Sequence, residues 1–211
     1  MFNYIARFSS VLALLFSFTA AQASWDGARD TVEQASSKMM QALNRTELQQ
    51  PEEIDLLLGE IELILDPVVD FDYVSKRVMG KYYRRVDKEL QSEFSSVFKE
   101  TMVRTFSKSL ADFEIVRYEI APQGKPSPKP EKQIVSVYIY SAKGDQYTLV
   151  YYMLKQNEGW KLVNVLVDGI NLRLNFKNQF SDMVSKAGGS VEQVISDWKL
   201  AIDDNATKKS S

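Results

Sequence analysis

Apolar positions along this chain follow two different periods. Trp25, Ala28, Val32, Ala35, Met39 and Leu43 recur at helical spacing and predict an amphipathic helix over 25–43. Pro51 stands where a first-turn proline is tolerated, and Ile54, Leu57, Leu58, Ile61 and Leu65 mark a second helix ending at Asp66-Pro67. Phe71, Val74 and Val78 mark a short third helix, which Gly80 can stop in a left-handed conformation. Asp87 can cap a long fourth helix with the stripe Leu90, Phe94, Val97, Phe98, Met102, Phe106 and Leu110.

The period then falls to two. Val116, Tyr118 and Ile120 alternate along a first strand, and the proline-rich loop 121–130 cannot enter a sheet interior. Strands over 133–141, 146–155 and 160–167 are separated by Lys143-Gly144-Asp145 and Asn157-Glu158-Gly159, which predicts an antiparallel meander. Asp168-Gly169 reads as a strand-to-helix corner. Helical spacing returns through Leu172, Phe176, Phe180 and Met183 or Val184, and Gly188-Gly189 ends that helix. Ser190 with Gln193 forms a capping box for a last helix carrying Val191, Val194, Ile195, Trp198 and Ile202. The fold class is therefore α+β: a curved antiparallel sheet of about four strands packed with about six helices.

Both faces of the sheet are apolar. In the third strand Tyr147, Leu149, Tyr151 and Met153 alternate with Thr148, Val150, Tyr152 and Leu154. In the fourth, Val163, Val165 and Val167 lie on one face by strict alternation, with Trp160, Leu162 and Leu166 on the other. A half-exposed strand alternates apolar with polar. Two arrangements satisfy this pattern: helices covering both faces, or a sheet curled around a cavity that an apolar ligand fills.

The first 23 residues have the form of a cleavable signal peptide. Arg7 is their only charge, Phe8 to Ala21 is apolar, and Ala21-Gln22-Ala23 is a small-x-small cleavage site. The expected organisation is a signal at 1–23, one domain at 24–203 and a disordered polar tail at 204–211. Removing the signal leaves 188 of the 211 residues and, with Arg7 gone, moves the net charge from −2 to −3. That balance argues against nucleic acid as a partner. The chain has no Cys and no His, so a disulfide, a lipoprotein anchor, a histidine-based hydrolase site and a zinc or copper centre are not expected.

Lys76, Arg77, Lys81, Arg84, Arg85 and Lys88 place six basic residues in thirteen, interleaved with Tyr82 and Tyr83. This is either a solvated helix end or a docking patch for an acidic surface or lipid phosphate. Asp66, Asp70 and Asp72 gather at a helix start, where capping and the helix dipole account for them. No calcium loop or phosphate-cradling glycine loop is present.

Two stretches carry a family resemblance. Val78-Met-Gly-Lys-Tyr-Tyr-Arg84, followed by Glu93-Phe94, Phe98-Lys-Glu100 and Phe106 to Leu110, resembles the helical half of the MlaC family, also called toluene-tolerance auxiliary proteins. Trp160 to Phe180, with Val167-Asp-Gly169 and Gln179-Phe180, resembles that family's signature more closely. The resemblance spans roughly 25–202. Asn164 departs from the family's usual Asp, and Asn171 from its usual Ser. The resemblance implies a periplasmic phospholipid carrier with a cone-like fold related to nuclear transport factor 2. Its implied partners are phospholipids, an inner-membrane ABC transporter carrying an MCE-domain ring, and an outer-membrane lipoprotein–porin complex. It implies traffic that maintains outer-membrane lipid asymmetry, with no catalytic residue and no cofactor beyond the lipid cargo.

On pattern and resemblance together, the helical side of the lining is expected from Phe94, Phe98, Met102 and Phe106, with Val74, Val78 and Tyr82 closing the mouth. The sheet side is expected from Val137, Tyr138, Leu149, Tyr151, Val163, Val165 and Val167. Lys76, Lys81, Arg84 and Arg85 are the expected docking residues. Which sheet face lies inside is undetermined, because both are apolar. Two other readings remain: a binding module or chaperone with an exposed apolar groove, and an enzyme on the same scaffold with Asp168 as a buried base.

Overall fold

A computed structural model describes residues 24–45 and 53–207. The expected signal peptide and Pro51 lie outside the described residues. The first helix, α1, covers 24–43. It is followed by α2 (Ile54–Leu65), α3 (Phe71–Met79), a 3₁₀ segment (Gly80–Arg85) and α4 (Lys88–Asp112). The strands are β1 (Ile115–Ile120), β2 (Lys132–Ser141), β3 (Gln146–Gln156), β4 (Gly159–Val167) and β5 (Ile170–Asn171). Helices α5 (Leu172–Lys186) and α6 (Val191–Thr207) follow. Helix α6 thus runs past 203, and 208–211 lie outside the described residues. No helix among the described residues is long and apolar enough to cross a membrane.

Local chemistry sets most boundaries. The Asp70 carboxylate accepts the Tyr73 N–H at 2.8 Å and opens α3, and Asp87 does the same for the Leu90 N–H at 2.9 Å. Gly80 ends α3 with φ +57° but ψ −120°. That is a glycine conformation, but not the left-handed helical one expected, so the chain continues as a 3₁₀ turn. Asn171 caps α5 by accepting the Leu174 N–H at 3.0 Å. A serine there would cap equally well, which accounts physically for that departure from the family pattern. The Ser190 hydroxyl accepts the Gln193 N–H, but the Gln193 side chain turns to Asp197, so only half of the capping box forms.

The curved sheet is antiparallel in the order β1-β2-β3-β4-β5. The fifth strand arises at Asp168-Gly169, where both residues have positive φ (+47° and +83°) and close a two-residue hairpin between Val167 and Ile170. The Asp168 carboxylate accepts the Thr148 N–H at 2.7 Å, and the Asp168 N–H donates to the Thr148 carbonyl at 2.9 Å.

Register identifies the inner face. Val135, Val137, Tyr151, Leu149 and Met153 are paired across β2 and β3 and share one face. Ala28 and Val32 of α1 pack on that face together with Trp160. Helix α1 is pinned there by the Trp25 indole N–H, which donates to the Ile134 carbonyl at 3.1 Å, and by the Tyr118 hydroxyl, which donates to Glu33 at 2.9 Å. Strand β4 does not alternate strictly. Tyr152 pairs with Asn164 but Met153 pairs with Leu162, so Val163 is an extra, bulged residue. Trp160 and Leu162 therefore share the inner face with Val165 and Val167, correcting the strict period-two assignment. The bulge also divides the outer edge of β4. Below it, Leu162 bridges in parallel to Val69, and above it Val167 and Leu166 pair with β5.

Among the described residues, buried side chains form three clusters, two of them joined through the half-buried Phe71. One lies between α1 and the sheet. A second joins α1, α2, Val103 of α4 and Ile115. The largest is helical, drawn from α3, the 3₁₀ segment, α4, α5 and α6.

Candidate lipid-binding face and its surroundings

The expected lining residues fall into two groups. Phe94 and Phe98 are fully buried at 0 % and 1 % exposure, inside the helical cluster. The Phe94 ring lies 4.8 Å from Phe180 and 5.4 Å from Trp198, edge-on in both cases. Val78, Tyr82 and Met102 are buried in the same cluster, and Val74 and Phe106 pack against it half-buried. The Tyr82 ring is tilted against Phe180 with centroids 6.1 Å apart, so it belongs to packed core and not to a free flap. These residues fill space with one another. They are not brought together with the sheet residues in one buried cluster.

The sheet residues form a continuous surface. Ile120, Val137, Leu149, Val167 and Ile170 are successive cross-strand partners, so a single apolar row crosses all five strands on the inner face. A second row runs Val135, Tyr151, Val165. Exposure rises along the first row from 1 % at Val137 to 60 % at Ile170. Tyr151 keeps accessible surface although protein surrounds its phenol. Burial alone pushes that phenol far above its ordinary value. A desolvated aromatic side chain that keeps some accessible surface suits contact with an apolar ligand. Tyr138 faces the opposite side, paired with Thr148 and Glu119, and does not join these rows. Val163, the bulged residue, is buried and its carbonyl accepts from Arg173 at 3.2 Å.

The basic segment is exposed and organised by its tyrosines. Lys76 lies 5.0 Å over the Tyr83 ring, while Lys81 and Arg85 sit 5.0 and 5.5 Å from the Tyr82 ring. Arg84 is exposed beside them. A hydrogen bond with Ser181 and the charges of Lys81 and Arg85 lower the Tyr82 phenol from its usual value against the opposing effect of burial.

The pattern gave no hint of a polar crevice of about 330 Å³ between the α2–α3 connection, α4 and the β3–β4 hairpin. Asp72 accepts the Ser95 hydroxyl at 2.6 Å, and Asp70 accepts the Gln156 amide at 2.5 Å. Lys99 is paired with Glu62 at 2.7 Å and Asp66 at 2.6 Å. Burial works against the charge on Lys99, but its two carboxylate partners outweigh it and hold the ammonium above its ordinary value. Asp66, Asp70 and Asp72 are the acidic group noted at the start of α3, but Ser95, Lys99 and Gln156 reach it from segments far apart in the chain, and no spacing signals that convergence. Among the described residues, no three Asp or Glu side chains converge as metal ligands. Asp168 is exposed, with its carboxylate engaged by Thr148.

Together these features define a class: an α+β domain whose helices cover one face of a curved antiparallel sheet and leave an apolar strip of that face open at one edge. A model of the MlaC protein family matches residues 33–200, and the chain belongs to that family. It is 25 % identical over 189 residues to toluene tolerance protein ttg2D of Pseudomonas putida, covering 89 % of this chain and 87 % of that one. Among solved structures it is similar to a phospholipid-binding protein from Ralstonia solanacearum, determined in complex with a phospholipid. That likeness has a TM-score of 0.70 at 21 % identity, over 87 % of this chain and 99 % of the other, and is one of fold.

Proposed function

We propose that this protein carries phospholipid, its acyl chains lying along the inner-face rows that include Leu149, Tyr151, Val165 and Val167. The observation that carries the reading is the half-open apolar row across five strands, with the desolvated Tyr151 beside it. The phospholipid bound by the structural relative supports it. The energetics are those of a shuttle. About 30 methylenes at about 0.8 kcal/mol each represent roughly 24 kcal/mol of exposure in water. A carrier that offers comparable burial lets lipid leave one membrane and enter another with little net cost, and with weak preference for the head group.

In this reading residues 1–23 direct export to the periplasm and are cleaved, leaving one domain that begins at 24 and includes α6. The protein serves as the soluble component of an ABC transport system, docking through Lys76, Lys81, Arg84 and Arg85 onto an MCE-domain ring and an outer-membrane lipoprotein–porin complex. It maintains outer-membrane asymmetry by binding and not by catalysis. Asp168, the candidate base, has its carboxylate engaged by the Thr148 N–H of β3. The test is native mass spectrometry of the periplasmically expressed chain, followed by solvent extraction. Mass excess released as intact diacyl phospholipid is expected. A clean protein mass with no extractable lipid would overturn the proposal.

A further inference from the structure

We infer that the β5–α5 corner is the portal through which acyl chains enter and leave, with Ile170 and Leu174 as its lip. This deepens the carrier reading and rests on it. The apolar row has two unlike ends. At β1 and β2, Ile120 and Val137 are closed over by the cluster that contains Ala28 and Val32 of α1. At the other end β5 is only two residues long, and register places the Ile170 side chain on the same face as Val167. Ile170 is nevertheless 60 % exposed, and Leu174, in the first turn of α5, is 51 % exposed. An inner-face residue this exposed means that the helical layer stops short of the row at this edge. The occupant that fits is an acyl chain continuous with those on the row. Moving it along an apolar lip shortens the stretch of hydrocarbon exposed to water during exchange.

The position of the lip makes exchange rate the quantity to read. Ile170 and Leu174 lie at the end of the row, so altering them leaves the holding surface at Leu149, Tyr151 and Val165 intact. Leu56 and Leu63 of α2 are 60 % and 76 % exposed and are not part of the row, which makes them the matched control.

The experiment follows uptake of dansyl-labelled phosphatidylethanolamine from phosphatidylethanolamine–phosphatidylglycerol vesicles by the delipidated protein. Ile170→Asp/Leu174→Asp should load and unload on the order of tenfold more slowly than wild type. The milder Ile170→Ser/Leu174→Ser should show a smaller slowing in the same direction, with an unchanged melting midpoint. Leu56→Asp/Leu63→Asp should exchange at the wild-type rate. Wild-type rates in both lip variants, or equal slowing by the α2 variant, would overturn the portal while leaving the carrier reading standing. A wild-type chain that takes up no lipid would remove both.

Discussion

Gly27 of α1 lies directly against the indole of Trp160 on β4: a Cβ built at Gly27 would stand 2.9 Å from the Trp160 Nε1. This approach seats α1 on the inner face of the sheet. Gly27→Ala must push the buried indole away, and overpacking of this kind costs about 1–3 kcal/mol. A lower urea midpoint with altered tryptophan emission is expected, and an unchanged midpoint would show that Trp160 yields freely.

Phe94 and Leu149 should behave oppositely. Phe94 is at the centre of the Phe98, Phe180 and Trp198 ring cluster, and Phe94→Ala should cost about 3–5 kcal/mol of stability. Leu149→Trp fills the half-open row. It should abolish co-purifying phospholipid while leaving the melting transition cooperative and close to that of wild type. Loss of lipid in neither variant would place the chains elsewhere.

Tyr151 gives a pH signature. Its folded-state value is raised above the ordinary tyrosine value of about 10. The stability contributed by the neutral phenol is therefore fully present below about pH 10 and is lost as pH rises through the raised value. Above pH 10 the wild type should lose stability more steeply than Tyr151→Phe. Parallel pH profiles in urea unfolding would remove the desolvated setting inferred for this side chain.

Lys99 ties α4 to the end of α2 through Glu62 and Asp66. Lys99→Ala should lower stability by about 1 kcal/mol, an effect that shrinks in high salt because the network is partly exposed. A salt-independent loss would assign the effect to packing against Phe71.

The docking patch is tested by charge reversal. Lys81→Glu with Arg84→Glu should weaken binding to the purified inner-membrane transporter without changing the melting midpoint, since both side chains are exposed. Binding unchanged from wild type would sink the patch as the docking surface.

Much of the fold was legible because its periods are clean. The stripe on α4, the caps at Asp70 and Asp87, and the meander from 132 to 167 all follow from local chemistry. In the sequence alone, strand β5 reads as a strand-to-helix corner. Asp168-Gly169 between Val167 and Ile170 is a strong hairpin signal, and the helix that follows at once obscured it. The site was less legible. Phe94 and Phe98 belong to a stripe that suits a cavity wall or a packed core equally. Which it is depends on Phe180 and Trp198, some 80 to 100 residues away in sequence. The inner face could not be chosen from β3, where both faces are apolar; the small residues Ala28 and Val32 of α1 decide it. The polar crevice and the Ile170–Leu174 lip depend on tertiary placement, which no local pattern carries.

The bulge at Val163 has a consequence for how this family can vary. Strand β4 is written in two frames, with inward side chains at even positions 160 and 162 and at odd positions 165 and 167. One residue splices the frames. Deleting it would not shorten a loop. It would turn either Trp160 and Leu162 or Val165 and Val167 to the opposite face, exchanging the seat of α1 for the floor of the apolar row. Length at this point is therefore as constrained as chemistry: Val163 tolerates exchange for another small apolar residue far better than its own absence.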